Sequence, residues 1–421
     1  MNRRVVITGL GICSPNGVGV PEFWENTKKG VSGIRFIPQL KELNFSCQIA
    51  GEPQVTQEQI NHRFTALEQR GLNASGIVYG VLAGMEAWED AGLSINETPD
   101  YDTGIIFGTG ILGVDKFREA IHKIDDGNTR RLGSTSVLQT MASGISTYLN
   151  SKLGCGNQVT TNSSACSTGT EAVLMAYERI IYGRAKRMLV GSCSDSGPYV
   201  WGGFDAMRIL PYHYNNQPEK ASRPMSESAT GFAPSSGAGA LVIESLESAQ
   251  ERGATIYAEI SGGFINSGGQ RADGSMTAPN SQAVRRCISQ ALKMAKVAPE
   301  DLSAINGHLT ATKKDPDEIY NWSRALHKNG SDFPYINSLK GMVGHGLASS
   351  GSLECVATVL QLKYQTLFGN VNADDVHPDI LKIISAERVL QKTTEMPLKH
   401  IAKASFGFGD VNAVVVFSKF E

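Results

Sequence analysis

Short apolar runs alternate with amphipathic stretches along the chain, and many of the runs end at glycine. In the first half, residues 76–91 are apolar at helical spacing and stop at Gly92, whereas 103–107 form a short apolar run before a Gly-Thr-Gly turn. The same reasoning predicts further strands over 5–8, 158–162 and 188–190, and helices over 21–29, 141–152 and 166–181. This alternation predicts an α/β fold in which helices cover a parallel or mixed sheet.

The second half of the chain repeats this arrangement. The pattern predicts strands over 255–260, 303–306, 335–338 and 413–417, and helices over 281–296 and 352–364. Residues 161–166, which precede a helix, resemble 336–340, which a helix follows after a longer loop. We interpret this likeness as a duplication, with two halves (residues 1–250 and 251–421) that share one core.

One segment shows neither the helical nor the strand spacing of apolar residues. Residues 199–234 show little periodicity and contain four prolines. We expect a long loop or insertion that lies over the fold, and loops of this length are commonly functional.

Composition narrows the classes of function. The 421 residues carry a net charge of −2, which argues against a nucleic-acid binder. No apolar run reaches about 18 residues, so we expect no membrane insertion. The apolar part of the N-terminus is too short for a signal peptide. Seven cysteines without CxxC spacing disfavour disulfides and a zinc site and indicate a reducing cytoplasm, and we expect neither metal nor cofactor.

Cys166 is the first candidate for chemistry. It ends a β-rich run and opens a helix, within SSACSTGT at 163–170. A thiol at a helix N-terminus is in the positive field of the helix dipole, which favours the thiolate, and the small neighbours permit a tight strand-to-helix turn. A lone cysteine is commonly a buried structural residue, so this position needs partners.

Two histidines supply such partners. His308 stands just past a predicted strand, and His345 lies in a glycine-rich loop before a helix. Ligands of open α/β sheets gather at the carboxyl ends of strands, where Cys166 also lies. The three side chains therefore predict one site.

Two further features surround these histidines. Lys340 lies five positions before His345. A buried lysine needs a carboxylate partner, and Glu354 is the nearest candidate for Lys340. Near the C-terminus, Phe406 and Phe408 alternate with glycines, and backbone N–H groups in such a turn can face a reacting carbonyl.

Four motifs together identify a family. ACSTG at 165–169, NGHLTAT at 306–312, KGMVGH at 340–345 and FGFG at 406–409 occur in the order of the β-ketoacyl-[acyl-carrier-protein] synthases, which the chain resembles over nearly its whole length. These are condensing enzymes of fatty acid and type II polyketide synthesis. Segments at 141–144, 204–207, 218–223 and 278–280 look more like the type I synthases than type II.

The resemblance implies a thiolase-like fold of five layers, αβαβα, built from two duplicated halves. It also implies a homodimer, and a heterodimer is the alternative. The partner is acyl carrier protein. Cys166 would take an acyl chain from it as a thioester, malonyl carrier protein would lose carbon dioxide, and the enolate would attack the thioester to release 3-oxoacyl carrier protein.

The same resemblance implies residue roles. His308 and His345 would donate N–H bonds to the thioester oxygen as the enolate forms, and Lys340, paired with Glu354, would orient His345.

The backbone N–H groups of Cys166 and Phe408 would hold the oxyanion, and Phe406 would gate the acyl pocket. Thr310 and Thr312 match positions that contact the phosphopantetheine arm.

The sequence departs from the family pattern in several places. Leu309 replaces the glycine of HGT, Asp410 and Val411 replace the second glycine and the threonine of FGFGGTNA, and the aspartate expected after HGT falls at Pro316. None of these changes removes the nucleophile or a histidine. They leave both primary fatty acid synthesis and a specialised polyene or polyketide pathway open.

Two alternatives compete with this interpretation. A coenzyme A-dependent thiolase would need a second cysteine near the C-terminus, but the last cysteine is Cys355, inside a predicted helix. A non-catalytic partner subunit, like the chain-length factors of polyketide systems, would lack the nucleophile, so Cys166 argues against it.

The docking of acyl carrier protein requires a local basic patch, because the carrier is acidic and this chain is slightly acidic overall. Arg130 and Arg131, in the loop 125–133, are the best candidates, and Arg208 joins them. Lys123, just before that loop, is a further candidate.

Overall fold

The computed structural model describes residues 3–95 and 97–421. The strands, in chain order, are β1 (Val5–Ser14), β2 (Gly17–Val18), β3 (Ile34–Phe36), β4 (Ile49–Gly51), β5 (Thr103–Thr109), β6 (Val159–Thr160), β7 (Arg187–Ser194), β8 (Gly237–Ser245), β9 (Ala258–Ser267), β10 (Leu302–Asn306), β11 (Tyr335–Asn337), β12 (Thr366–Leu367), β13 (Thr394–Glu395), β14 (His400–Gly407) and β15 (Val411–Ser418).

Helices connect most of these strands. In chain order they are α1 (Val20–Lys28), α2 (Pro38–Glu42), α3 (Gln57–Arg63), α4 (Ala66–Gln69), α5 (Ser75–Asp90), α6 (Val114–Asp125), α7 (Ser136–Thr140), α8 (Gly144–Leu153), α9 (Thr168–Ile181), α10 (Pro198–Ala206), α11 (Leu246–Glu251), α12 (Ser281–Ala295), α13 (Asp315–Leu326), α14 (Lys340–Val343), α15 (Ser350–Tyr364) and α16 (Pro378–Leu381).

The main sheet has two halves of identical topology. Its order is β11-β10-β14-β15-β9-β1-β8-β7-β5-β6, with β2 paired to β1. From the middle outwards, β1, β8, β7, β5 and β6 correspond to β9, β15, β14, β10 and β11. In both series the two inner pairs are antiparallel and the two outer pairs parallel. The predicted duplication is therefore confirmed, whereas the exact division between residues 250 and 251 stays a prediction.

Helices complete the predicted five layers. α9 and α15 pack against each other between the two halves of the sheet, α5 and α8 cover the outer face of the first half, and α12 and α13 cover that of the second. Nearly every residue of α15 is buried. A helix enclosed between two sheets has no solvent face, which explains why α15 is not amphipathic.

The predicted elements exist, but their bounds differ. The first strand runs to Ser14 rather than residue 8, and the helix expected from residue 166 begins at Thr168, after a single 3₁₀ turn over Ala165–Ser167. The loop expected over 199–234 is partly wrong, because α10 occupies its start. α6 and α13 are helices that the pattern did not predict: the apolar residues of α6 lie along an exposed face, and α13 buries polar as well as apolar residues.

The seven cysteines are all free and buried, as expected for a chain without a disulfide framework. Among the described residues, no helix has both the length and the apolar character that crossing a membrane requires.

Candidate active site

The structure brings Cys166, His308 and His345 together. Their sulfur and ring nitrogens lie within 4.8 Å of one another, and all three side chains are buried. Cys166 precedes α9, His308 follows β10, and His345 follows α14. Cys166 and His308, which are 142 positions apart in the chain, share one site because the two duplicated halves face each other across α9 and α15.

The backbone around Cys166 is held in an uncommon conformation. Ala165 has a φ of 48°, in the left-handed region, and the 3₁₀ turn over Ala165–Ser167 leads directly into α9. Gly407 packs against this turn so closely that a Cβ there would lie 3.1 Å from the amide nitrogen of Cys166. The hydroxyl of Ser167 donates to the carbonyl oxygen of Val411 at 3.0 Å. The nucleophile turn is therefore fixed against the β14–β15 hairpin.

The second half carries the matching turn. Leu347 has a φ of 53° and opens the 3₁₀ turn Leu347–Ser349, which leads into α15. The duplicated halves thus present equivalent strained turns to one cavity, with Cys166 on the first and His345 just before the second.

The resting thiol does not show the predicted preference for the thiolate. Burial raises the pKa of Cys166, and this effect outweighs the opposing influence of the Phe408 backbone N–H, the Lys340 ammonium and its own backbone N–H. The expectation from the helix dipole is therefore wrong in its net direction. Desolvation of the buried sulfur raises its pKa by more than the nearby donors lower it.

The backbone N–H groups of Cys166 and Phe408 both interact with the sulfur. Two donors that converge on the nucleophile also stand beside the carbonyl that the sulfur would attack. This is the arrangement that an oxyanion hole requires.

His345 has a defined tautomer. Its Nδ1 accepts a hydrogen bond from the backbone N–H of Leu347 at 3.2 Å and lies 2.9 Å from the hydroxyl of Ser350. Burial lowers the pKa of His345 well below its ordinary value, and Lys340 and Lys403 lower it further. The ring is neutral, and since Nδ1 is an acceptor, its proton is on Nε2.

His308 is neutral for the same reasons. Burial lowers its pKa well below the ordinary value, with contributions from Lys340, His345 and Lys403. Its ring lies edge-on to that of His345, with 5.5 Å between the centroids. The Nδ1 atom of His308 is buried and has no hydrogen-bond partner among the described residues.

Two buried carboxylates hold the loop that carries His308. Glu318 accepts the backbone N–H groups of His308 and Leu309, both at 2.7 Å. Asp315 accepts those of Thr310 and Ala311.

Burial raises the pKa of these two carboxyls, to about 7 for Glu318 and about 6 for Asp315. The sequence did not identify either residue as part of the site, because the aspartate of the family pattern falls at Pro316, between Asp315 and Asp317. The spacing DPDE at 315–318, which places two carboxylates on one helical face, could have found them.

Lys340 and Glu354 form the expected buried ion pair. A second lysine, Lys403 on β14, contacts the other oxygen of Glu354 at 2.7 Å. Sequence reasoning missed Lys403, since a single lysine within an apolar strand gave no indication of a partner.

The three reacting groups open into a cavity of about 670 Å³. Thr310 and Thr312 line it, with their hydroxyl oxygens 3.1 Å apart. Phe406 and Phe408 line it as well, and Phe232 stands edge-on to His345 at 5.0 Å. A volume of this size is within the range of cavities that bind small-molecule ligands.

The departures from the family motifs leave the reacting groups intact. Leu309 is fully buried in the apolar cluster of the second half and does not line the cavity. Val411 contacts Ser167 through its backbone carbonyl, so its side chain is not needed there.

Asp410 has a specific structural use. It has a φ of 62°, and its carboxylate accepts the backbone N–H groups of Gln270 and Asn280 at 2.9 and 2.8 Å. The loop between those two residues lines the cavity through Asp273, Thr277, Ala278 and Pro279. Asp410 therefore fixes one wall of the cavity.

The candidate docking residues are exposed. Arg130 and Arg131 form a 3₁₀ turn after α6, and Arg208 follows Met207, which lines the cavity. Lys123, the further candidate, already has partners within the chain: its ammonium pairs with Glu119 and donates to the carbonyl of Arg131.

A thiol and two imidazoles are also the donor types of a zinc site. Among the described residues, Cys166, His308 and His345 bring such donors close enough to one another to bind a metal ion. Two buried ammonium groups, Lys340 and Lys403, stand close to them. This positive surrounding disfavours a divalent cation and favours anions.

The thiolase alternative has no support in the geometry. Cys355 lies within α15, fully buried, and burial raises its pKa to about 12. It does not line the cavity that contains Cys166.

Comparison with known proteins identifies the family. Residues 2–249 match the model of the beta-ketoacyl synthase N-terminal domain, and residues 257–374 match that of the C-terminal domain.

Relatives cover the whole chain. The 3-oxoacyl-[acyl-carrier-protein] synthase 2 of Coxiella burnetii is 32% identical over 99% of both chains, and that of Staphylococcus aureus strain COL is 33% identical over 100% of this chain and 99% of its own. These relatives are named synthase 2, so they do not support the expected closeness to the type I synthases.

Solved structures agree with the fold. The ketosynthase complex AntDE:AntF, described as a type II PKS acyl-carrier protein with its ketosynthase bound to the hexaketide, aligns with a TM-score of 0.88 and 29% identity over 100% of both chains. A beta-ketoacyl synthase from Burkholderia phymatum aligns with a TM-score of 0.89 and 26% identity, again over 100% of both. The duplicated five-layer fold, the cysteine with its two histidines and the full-length matches have one explanation: this chain belongs to the β-ketoacyl synthase family.

Proposed function

We propose that the protein joins a Cys166-bound acyl chain to the two-carbon unit of malonyl-acyl carrier protein and releases 3-oxoacyl-acyl carrier protein. The observation that supports this most directly is the position of the Cys166 thiol beside two neutral imidazoles that line the same cavity. No cofactor is required, since the decarboxylation itself drives the carbon–carbon bond.

In the first half-reaction Cys166 attacks the thioester of acyl carrier protein. The oxyanion is stabilised by the backbone N–H groups of Cys166 and Phe408, and the pantetheine leaves as a thiol that carries the proton of Cys166. The neutral imidazole of His308 is the nearby base that carries this proton from Cys166 to the leaving sulfur, because Nε2 of His345 already holds a proton.

In the second half-reaction malonyl carrier protein occupies the same arm. The bond to its carboxylate breaks, carbon dioxide leaves, and the electron pair moves into an enolate whose oxygen accepts N–H bonds from His308 and His345. The enolate carbon then attacks the acyl carbonyl on Cys166, and the sulfur leaves as the thiolate. The Nε2–H tautomer of His345 supplies the donor that this step needs.

Substrate positioning falls to the rest of the cavity. Thr310 and Thr312 contact the phosphopantetheine arm, and Phe406 gates the acyl side. Arg130, Arg131 and Arg208 form the docking patch for the acidic carrier protein. The N-terminal half, 1–250, supplies the nucleophile, and the C-terminal half, 251–421, supplies both histidines.

A second copy of the chain completes the assembly. Phe117, Ile121 and Ile124 are exposed along one face of α6, and Val137 and Leu138 are exposed on the adjoining α7. Such a contiguous apolar surface is typical of a subunit interface. A homodimer is the proposed state, and sedimentation of the purified protein separates it from a heterodimer, which would leave this chain monomeric alone.

The seven free cysteines support a cytoplasmic location. Both primary fatty acid synthesis and a polyene or polyketide pathway fit the site.

Intact-mass analysis of carrier proteins tests the reaction. Wild type, malonyl carrier protein and a panel of short, long and unsaturated acyl carrier proteins are combined, and the expected product is two carbons longer and retains a ketone. The preferred acyl donor identifies the pathway. Extension absent with every donor contradicts the proposal and favours a non-catalytic subunit, and extension with coenzyme A thioesters alone favours a thiolase.

A further inference from the structure

Glu354 lies between two lysines, not one. Lys340, on α14, binds its Oε1 atom, and Lys403, on β14, lies 2.7 Å from Oε2. All three side chains have at most 1% of their surface exposed. Among the described residues, no donor has the geometry of a hydrogen bond to Oε2. The contact between Oε2 and Lys403 is therefore an ion pair without a hydrogen bond.

Lys403 is held by several acceptors. Its ammonium donates to the hydroxyl of Thr170 at 3.1 Å and to the carbonyl of Ala404 at 2.7 Å, and it also donates to the hydroxyl of Ser405. These acceptors use the three N–H groups of an ammonium.

The buried cluster therefore carries an excess positive charge. Two ammonium groups face one carboxylate, and neither lysine lines the cavity into which Cys166 and the two histidines open. At low dielectric an uncompensated charge acts over several ångströms. Lys403, like Lys340, lowers the pKa of both His308 and His345.

We propose that Lys403 is a positioning residue of the condensation: it holds Glu354, and through it Lys340, behind the two histidines, and it leaves the site with one excess positive charge that favours its anionic states. Those states are the Cys166 thiolate, the malonyl carboxylate and the enolate. The inference rests on the proposed function, because these states arise in that reaction.

The sign of the pH effect follows from the groups that face the imidazoles. Around His308 and His345 these are Cys166, Lys340, Lys403, Glu354, Glu318 and Asp315. Without the Lys403 charge, each imidazolium costs less to form, so the pKa of each histidine rises. The acidic limb of the kcat profile then moves to higher pH.

The test compares Lys403→Met, which keeps the length and removes the charge, with Lys403→Arg, which keeps the charge. Lys399→Met is the matched control, because Lys399 precedes the same strand but is exposed, 3.9 Å from Asp301. Lys403→Met is expected to lower kcat at pH 7 on the order of tenfold, less than the about 10²–10³-fold cost of removing an oxyanion donor. Its acidic limb moves upward, whereas Lys403→Arg and the control keep the wild-type limb.

Two results would overturn the inference. One is a folded Lys403→Met protein with the wild-type pH profile, which would make Lys403 a structural residue. The other is measured on the wild type, and so does not depend on the folding of a variant: ¹³C-histidine spectra at pH 7 that show His308 or His345 as imidazolium.

The inference and the proposed function fail in different ways. A wild type that condenses no donor refutes the function. The histidine spectra of the same protein still report whether the positive cluster keeps both rings neutral.

Discussion

The backbone N–H of Leu347 donates to Nδ1 of His345, and this one contact determines which nitrogen of the imidazole carries the proton. Leu347, with a left-handed φ of 53°, is the first residue of the 3₁₀ turn Leu347–Ser349 that leads into α15. The backbone conformation of the turn therefore presents Nε2–H to the substrate. The duplicated turn at Ala165 uses the same conformation to place the nucleophile.

This tautomer predicts separate losses for the two half-reactions. His308→Ala and His345→Ala are each expected to lower malonyl decarboxylation by about 10²–10³-fold, because a donor to the enolate oxygen is removed. Acylation of Cys166 should fall less, since backbone N–H groups hold that oxyanion. Carbon dioxide release and acyl-enzyme mass measure the two steps independently. Equal losses in both steps would contradict the assignment.

The buried thiol predicts the reactivity of the free enzyme. Burial raises the pKa of Cys166, so only the small thiolate fraction reacts with iodoacetamide near pH 7. The alkylation rate is expected to keep rising with pH beyond pH 9. Cys166→Ala, the control, should take up no label at this site and should form no acyl-enzyme while it keeps its fold. A rate that is already at its plateau at pH 7 would show that the thiolate is the resting form.

Asp410 predicts an effect on binding rather than on chemistry. In Asp410→Gly the backbone N–H groups of Gln270 and Asn280 lose their acceptor, and the wall formed by the loop between them loosens. KM for malonyl carrier protein is expected to rise several-fold, with kcat changed less, because Cys166 and the histidines are untouched.

Arg271→Ala is the comparison for the Asp410 variant. Arg271 lies in the same loop, but its side chain is exposed, donates to the carbonyl of Gly269 at 3.0 Å and does not line the cavity, so the wild-type KM is expected. A fall in kcat at constant KM for Asp410→Gly would assign Asp410 to the reaction itself.

The contrast between the three clustered residues and Lys403 shows which parts of the site could be predicted from the sequence. Cys166 could be predicted because small residues surround it where a β-rich run meets a helix, and His308 and His345 because each stands beside glycine, where few neighbours pack against a side chain. Lys403 lies inside an apolar strand, and its partner Glu354 is on a helix of the middle layer. Only the packing of β14 against α15 brings them together, and that packing is not encoded in the spacing of either segment.

The same limit explains the errors in the fold. The alternation of elements and their duplication could be predicted because strand and helix periods are local properties. α13 was missed because its buried side mixes apolar residues with polar ones, namely Asp315, Glu318 and Asn321. The polarity serves the His308 loop, so the functional requirement hid the helical pattern.

Glu318 predicts a pH dependence of stability. Burial raises its pKa to about 7, so the folded state binds a proton that the unfolded chain has already released. The stabilisation is full below the unfolded pKa, near 4.5, and is lost as pH rises through 7. The loss is on the order of 3 kcal/mol at most.

Chemical denaturation of wild type and Glu318→Gln at pH 5 and pH 8 measures this contribution. The amide is always neutral, so the free-energy gap between the two proteins should change in favour of the variant on going to pH 8. A gap that is the same at both pH values would show that Glu318 is ionised throughout.

The last prediction concerns the recognition of acyl carrier protein. Arg130 and Arg131 are exposed on a turn after α6, in a chain whose net charge is −2, so a local patch must supply the attraction for an acidic carrier. Electrostatic steering acts on association and weakens as salt screens it. Reversal of both residues to Glu is expected to raise KM for acyl carrier protein and to flatten its salt dependence. Arg208→Glu should act in the same direction.

Two controls separate docking from catalysis in that experiment. Small thioester donors carry no acidic protein, so their reaction should be nearly unchanged by the reversal. Arg184→Glu removes an exposed arginine just beyond the C-terminal end of α9, the helix whose N-terminal end adjoins Cys166, and it should leave carrier kinetics at the wild-type value. Since screening is strong once the Debye length falls to about 8–10 Å, a range of about 50–300 mM salt suffices. Carrier kinetics that follow the wild type across that range in the Arg130 and Arg131 variant would place the docking surface elsewhere.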